Sequence, residues 1–169
     1  MHIETLRLVL KPWRSGDEDA FHAIWGDPEV IFWGPTGDLA ASKVLLSEIR
    51  EGCATMPQGC GWFAVSLRGE AIVGNILLKP SESMPGDLEI GWHFSKASQG
   101  HGYATEAAQA VLTHGFEQRD VPRIIALIMA TNGPSQRVAT RLGMTVVGQT
   151  VHASELHDVW SIGPATYAG

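Results

Sequence analysis

The sequence predicts a single α/β domain over residues 1–169, with a mixed central β-sheet flanked by about four helices. Three observations carry this. Alternating apolar stretches interleave with stretches of helical periodicity in the order ββ…βαβαββ, which suits one sheet with helices packed on it. Leu, Ile, Val and Phe supply about a quarter of the 169 residues, and a chain this long buries roughly 70% of its unfolded surface without a disulfide or metal staple. No repeat or low-complexity linker divides it.

Leu6, Leu8 and Leu10 alternate with Arg7, Val9 and Lys11, predicting a half-buried strand ended by Pro12. Ser15-Gly16-Asp17-Glu18 is an acidic helix start, with Ala20, Phe21, Ile24 and Trp25 at helical spacing after it. A loop around Phe32 and Trp33 leads to a second helix over 39–51, with Leu45, Leu46 and Ile49 inward. Strands over 61–67 and 71–78 form a hairpin turning at Arg68-Gly69-Glu70.

In the strand over 88–94, Leu88, Ile90, Trp92 and Phe94 share one face, and Glu89, Gly91 and His93 the other. A long helix over 103–118 turns Ala104, Ala107, Ala108, Val111, Leu112, Gly115 and Phe116 inward and Thr105, Glu106, Gln109, Thr113 and Glu117 outward. A buried strand over 122–130, a short helix over 135–142 capped by Gly143, and a hairpin over 145–152 and 157–162 complete the chain.

Twelve basic against 18 acidic residues give a net charge of −6. Nucleic-acid binders draw affinity from cationic contacts with phosphate, so direct nucleic-acid binding is not expected. The longest apolar run, 124–130, is far short of the ~20 residues that span a bilayer, and Met-His-Ile-Glu resembles no secretory signal. The expectation is a soluble, cytoplasmic protein without a membrane partner, its two cysteines, Cys53 and Cys60, free thiols. The seven histidines form no His-x-x-x-His pair and have no cysteine partners at zinc spacing, so no metal is expected.

The informative segment is Gln99-Gly100-His101-Gly102-Tyr103-Ala104-Thr105-Glu106. A glycine turn entering a helix aims unpaired N–H groups at one point, where the helix dipole favours an anion such as pyrophosphate. It could also be a tight turn and nothing more. A Rossmann site fits poorly: Thr105 stands where the third glycine belongs, and Asp120 precedes its strand. The Gly-Lys-Ser/Thr ending of a P-loop is missing.

Around that turn, Glu89-Ile90-Gly91-Trp92 comes before it, and Asn132-x-x-Ser135-x-Arg137 and Leu142-Gly143-Met144 come after. Together these resemble the GNAT acetyltransferases, more narrowly the RimJ/RimL-type branch. The resemblance runs from Glu4-Thr5-Leu6-Arg7-Leu8 through Asp27-Pro28-Glu29-Val30 to His157-Asp158-Val159-Trp160. It implies a fold whose two central parallel strands, at 88–94 and 124–130, splay apart, and an enzyme that takes the acetyl group from acetyl-CoA. It places the pyrophosphate on Gln99, Gly100, His101, Gly102, Tyr103, Ala104 and Thr105. The pantetheine arm would lie along Trp92, His93 and Phe94, bracketed by Asn132 and Ser135, with Arg137 on a phosphate.

Many family members carry a tyrosine as general acid where this chain has Ala139. The resemblance leaves Ser135 as the replacement, while serine's capping preference gives it a second role as a helix cap. Glu89 matches a strand carboxylate that serves some members as base; an ordinary solvated residue is the other reading. Phe32 and Trp33 are candidate walls for the acceptor; His152, Glu155 and His157 cluster in the last hairpin and offer another base, with His152 and Glu155 also expected on the acceptor side. The expected partners are acetyl-CoA, an amine acceptor and a second copy of the chain as a homodimer. An N-terminal α-amine of a protein is the favoured acceptor, since its pKa near ~8 leaves part of it neutral, unlike lysine near ~10.4. Polyamines, amino acids and antibiotics stay open, as does a silent acyl-CoA sensor.

Overall fold

In the computed structural model, residues 2–31, 34–68 and 71–167 are described. Leu8 and Leu10 are fully buried in β2 (Leu8–Pro12), but Leu6 leaves the stripe and is 87% exposed. The chain reverses there: β1 (Ile3–Glu4) pairs antiparallel with β2, and the Thr5 N–H donates to the Leu8 carbonyl across the turn at 2.9 Å. A reversal breaks the two-residue period, which corrects the expected continuous strand.

Acidic residues open α1 (Glu18–Trp25), which buries Phe21, Ile24 and Trp25. In α2 (Leu39–Cys53) the Asp38 side chain accepts from the Ala41 N–H at 2.8 Å, and Leu46 is buried between half-buried Leu45 and Ile49. The hairpin of β3 (Gly61–Leu67) and β4 (Ile72–Pro80) forms as expected, its turn at Gly69 and Glu70 lying outside the described residues. Then come β5 (Leu88–Phe94), a 3-10 turn over Lys96–Ser98, α3 (Tyr103–Gln118), β6 (Ile124–Met129), α4 (Gly133–Arg141), β7 (Thr145–His152) and β8 (Glu155–Ile162).

The eight strands form one sheet in the order β1-β2-β3-β4-β5-β6-β8-β7, antiparallel except between β5 and β6. On one face α3 packs Ala108, Val111 and Leu112 into a core with Leu78, Ile90 and Ile124. On the other, α1 and α2 pack Phe21, Ile24 and Leu46 with Trp13 and Ala64. The result is one α/β fold, a mixed sheet with helices packed on both faces. Among the described residues no helix is long and apolar enough to cross a membrane.

One irregularity in the sheet opens a cleft. β5 pairs with β4 along its whole length, but with β6 only at Leu88–Ile124 and Glu89–Ile125. Beyond that point β6 stays with β8 and the two parallel strands part. The closed end is fastened by Arg123, whose Nε lies 3.0 Å from both Asp87 oxygens and whose Nη2 lies 2.8 Å from Oδ2. Glu106 is the other departure from expectation. It is half-buried and bonded to residues 5 and 7, because the β1–β2 turn covers the first turn of α3.

Candidate active site

Where β5 and β6 diverge, a cleft of about 1100 Å³ opens. Trp92, His93 and Phe94 of β5 form one wall, and Asn132, Ser135 and Arg137 at the start of α4 form the other. The turn from Gln99 through Thr105 lies at its mouth. Thus all the residues expected around the cofactor line one cavity. Beyond Glu89 no further pairing of β5 with β6 is found among the described residues, so the parted edge can receive a ligand with amides of its own.

Two glycines shape the turn. Gly100 has φ +82° and Gly102, the N-cap of α3, has φ +79°, a region glycine enters without penalty. The Gln99 side chain donates to the Phe94 carbonyl at 3.2 Å, fixing the turn to the end of β5. The first intrahelical bond of α3 runs from the Glu106 N–H to the Gly102 carbonyl, so earlier N–H groups stay available at the positive end of the helix dipole. Arg137 and Arg141 also line the cleft and make no ion pair among the described residues. An acidic chain with two unpaired arginines, a helix N-terminus and a glycine cradle in one place has the chemistry of a polyanion site.

At the start of α4 the Asn132 side chain accepts from the Ser135 N–H at 3.1 Å, and Pro134 occupies the first turn. Asn132 is therefore the cap and Ser135 sits inside the first turn, which corrects the reading of Ser135 as a helix cap. The Ser135 hydroxyl makes no hydrogen bond with any described residue. Ala139 is fully buried in the core.

On the β5 face opposite α3, His93 lies against Trp25, ring centroids 4.8 Å apart. Its Nδ1 is 3.3 Å from the amide nitrogen of Asn75, whose oxygen accepts from the Trp13 indole N–H at 2.7 Å. That network assigns the imidazole proton to Nε2. Burial pushes the His93 pKa down to about 4, so the ring is neutral around pH 7.

Glu89 lies where β5 and β6 are still paired and is not among the cleft-lining residues. It is 8% exposed and accepts from the Ser81 hydroxyl at 3.2 Å, so the reading as a solvated strand residue is corrected. His152 and Glu155 flank the β7–β8 turn, away from the cleft lining; His152 Nδ1 is 3.2 Å from Ser83 Oγ, and its ring meets His157 edge-on. Phe32 and Trp33 lie outside the described residues. Sequence reasoning missed Arg141, one helical turn beyond Arg137 on the same face of α4. It also missed Lys96 and Glu29, which line the cleft and pair with each other at 3.1 Å.

A sheet opened between two parallel strands, with a glycine turn and helix N-terminus at the mouth, is the arrangement of an acyltransferase that uses acetyl-CoA. The chain belongs to the GNAT acetyltransferase family, whose domain model, "Acetyltransferase (GNAT) domain", matches residues 7–145. It is 34% identical over 147 residues to YnaD, an uncharacterised N-acetyltransferase of Bacillus subtilis (strain 168), covering 85% of this chain and 82% of that one. A GNAT-family acetyltransferase structure from Bacillus anthracis superposes with a TM-score of 0.77 at 29% identity, over 96% of this chain and 98% of that one. Mycobacterium smegmatis RimJ, solved in complex with CoA-disulfide, shares the fold with a TM-score of 0.76 at 21% identity, over 96% of this chain and 84% of that one.

Proposed function

We propose that this acetyltransferase acylates a primary amine, the N-terminal α-amine of a protein, in a direct ternary complex. The observation that carries the reading is the cleft itself. It begins where β5 loses β6 and ends on the glycine turn, joining an amide-pairing wall to an anion cradle.

The residues fit acetyl-CoA, which supplies an activated acetyl thioester when bound. Residues 99–105 and Arg137 hold the phosphates, and the β5 backbone at Trp92, His93 and Phe94 pairs the pantetheine amides. A backbone N–H at His93 or Phe94 polarises the thioester carbonyl. Asn132 and Ser135 bracket the sulfur, and the Ser135 hydroxyl donates to it as the C–S bond breaks. The amine nitrogen forms the new C–N bond and releases its proton towards Glu89. On a strand rising about 3.3 Å per residue, Glu89 stands about 13–17 Å along β5 from His93 and Phe94, so the proton reaches it only through intervening water.

A neutral α-amine asks less of so distant a base than a lysine does. The RimJ/RimL-type resemblance of the sequence supports a protein N-terminus as acceptor, with Phe32 and Trp33 as candidate acceptor contacts. The test follows free thiol from acetyl-CoA with N-terminal peptides, polyamines and aminoglycosides. Saturable thiol release with peptides supports the reading; release only with small amines moves the acceptor class. Acetyl-CoA binding with no acceptor-dependent thiol across the panel would leave a sensor, the reading that Ala139 favours.

A further inference from the structure

The proposed phosphate turn is braced from behind by a residue that does not line the cleft. Arg7 stands just before β2 and reaches the turn with its whole guanidinium. Its Nη1 donates to the His101 carbonyl at 3.0 Å, and its Nε donates to Glu106 Oε2 at 2.6 Å. The guanidinium carbon lies 4.8 Å from the centre of the Tyr103 ring, on which the His101 ring also stacks at 5.4 Å. The other Glu106 oxygen takes the Thr5 hydroxyl at 2.6 Å and the Arg7 N–H at 3.0 Å. Thr5 is held in turn by Arg68, whose Nη2 donates to its carbonyl at 2.6 Å. The brace is therefore tied to the β2–β3 side of the sheet.

We propose that Arg7 is a positioning residue for coenzyme A: it fixes the His101–Gly102 peptide and neutralises Glu106, so that the turn is set to receive a pyrophosphate before one arrives. Two physical arguments support this. A trans peptide carries its C=O and N–H on opposite sides. With the His101 carbonyl held by Arg7, the Gly102 N–H points away from Arg7. Glycines at 100 and 102 would otherwise let this peptide rotate freely, and Arg7 removes that freedom. The second argument is charge. Glu106 is a carboxylate in the first turn of the helix that should meet a polyanion. Burial would raise its pKa, but hydrogen bonds from Thr5 and Arg7 outweigh that and hold it below the ordinary carboxylate range. An ionised Glu106 without Arg7 would repel the phosphates across the turn; paired, it anchors the brace.

This inference rests on the phosphate reading of the turn, and the test separates the two. Binding of acetyl-CoA and of acetyl-pantetheine, which lacks the pyrophosphate, is measured for the wild type, Arg7→Gln, Arg7→Lys, Glu106→Gln and the double variant Arg7→Gln/Glu106→Gln. Thermal unfolding checks that each is folded. The wild type binds acetyl-CoA more tightly than acetyl-pantetheine; equal binding would defeat the phosphate reading and this inference with it. Arg7→Gln weakens acetyl-CoA at least about tenfold, the loss of one hydrogen bond to a charged group, and leaves acetyl-pantetheine as it was. Arg7→Lys stays weak, because an ammonium cannot serve His101 and Glu106 from one rigid fork. The double variant recovers part of the loss because the unpaired carboxylate is gone. Equal weakening of both ligands, or an Arg7→Lys variant matching the wild type, would overturn the positioning role while leaving the phosphate reading intact.

Discussion

Asn132 and Ser135 divide two roles that one serine could have combined: the Asn132 side chain accepts from the Ser135 backbone N–H at 3.1 Å, leaving the Ser135 hydroxyl to the cleft. Asn132→Ala is therefore expected to cost about 0.5–2 kcal/mol in stability as a lost N-cap. Ser135→Ala should unfold like the wild type and lower kcat more than it raises KM for acetyl-CoA, since help to a departing sulfur strengthens in the transition state. Because a thiolate leaves readily, the loss falls at or below the low end of the ~10²–10⁴-fold range for acid assistance. Steady-state kinetics beside thermal melts check both. An intact kcat in Ser135→Ala would remove the proton-donor role.

Gly100 has open space where a Cβ would stand, so any cost of a side chain there comes from its backbone angle. Placing a branched residue at φ +82° costs about 1–2 kcal/mol and reshapes the turn. Gly100→Val is expected to weaken coenzyme A and spare pantetheine, as measured by calorimetry. The same loss for both ligands would mean that the turn serves something other than phosphate.

His93 links stability to pH. Its folded pKa of about 4 lies below the ordinary 6.5, so the native state favours the neutral ring. The stabilisation is fully present above pH 6.5 and is lost as pH falls towards 4, up to about 3 kcal/mol in all. Chemical denaturation of the wild type and His93→Gln across that window checks this. The variant should show the shallower pH dependence; parallel curves would place the titration elsewhere.

The closed end of the cleft depends on one ion pair. Asp87 is 8% exposed and receives both Nε and Nη2 of Arg123. Arg123→Ala leaves that carboxylate buried without its cation, at a cost of about 1.5–3 kcal/mol, the range for hydrogen bonds to charged groups. Urea titration reads it, and a change under 0.5 kcal/mol would show the pair to be ornamental.

Elements whose identity rests on periodicity were legible in the sequence: β5 and α3 begin and end where the alternation and the helical stripe say. The glycine turn was legible because its residues are contiguous. Leu6 was misplaced because a reversal interrupts an alternation without changing its letters. Glu106 and Glu89 were misread for a different reason. Each is polar, and each is covered by a segment distant in the chain or across a loop: residues 5 and 7 for Glu106, Ser81 for Glu89. No local pattern encodes such partners. Arg141 lies one turn past the Asn132-x-x-Ser135-x-Arg137 motif on the same helix face, so the motif does not contain it.

If acetyl-CoA occupies the opening between β5 and β6 with its phosphates on the turn, it shields both. Hydrogen exchange with and without acetyl-CoA tests this placement most directly. Exchange is expected to slow over residues 92–105 and 132–138, with β7 unchanged. Slowing elsewhere with those two segments unaffected would contradict it.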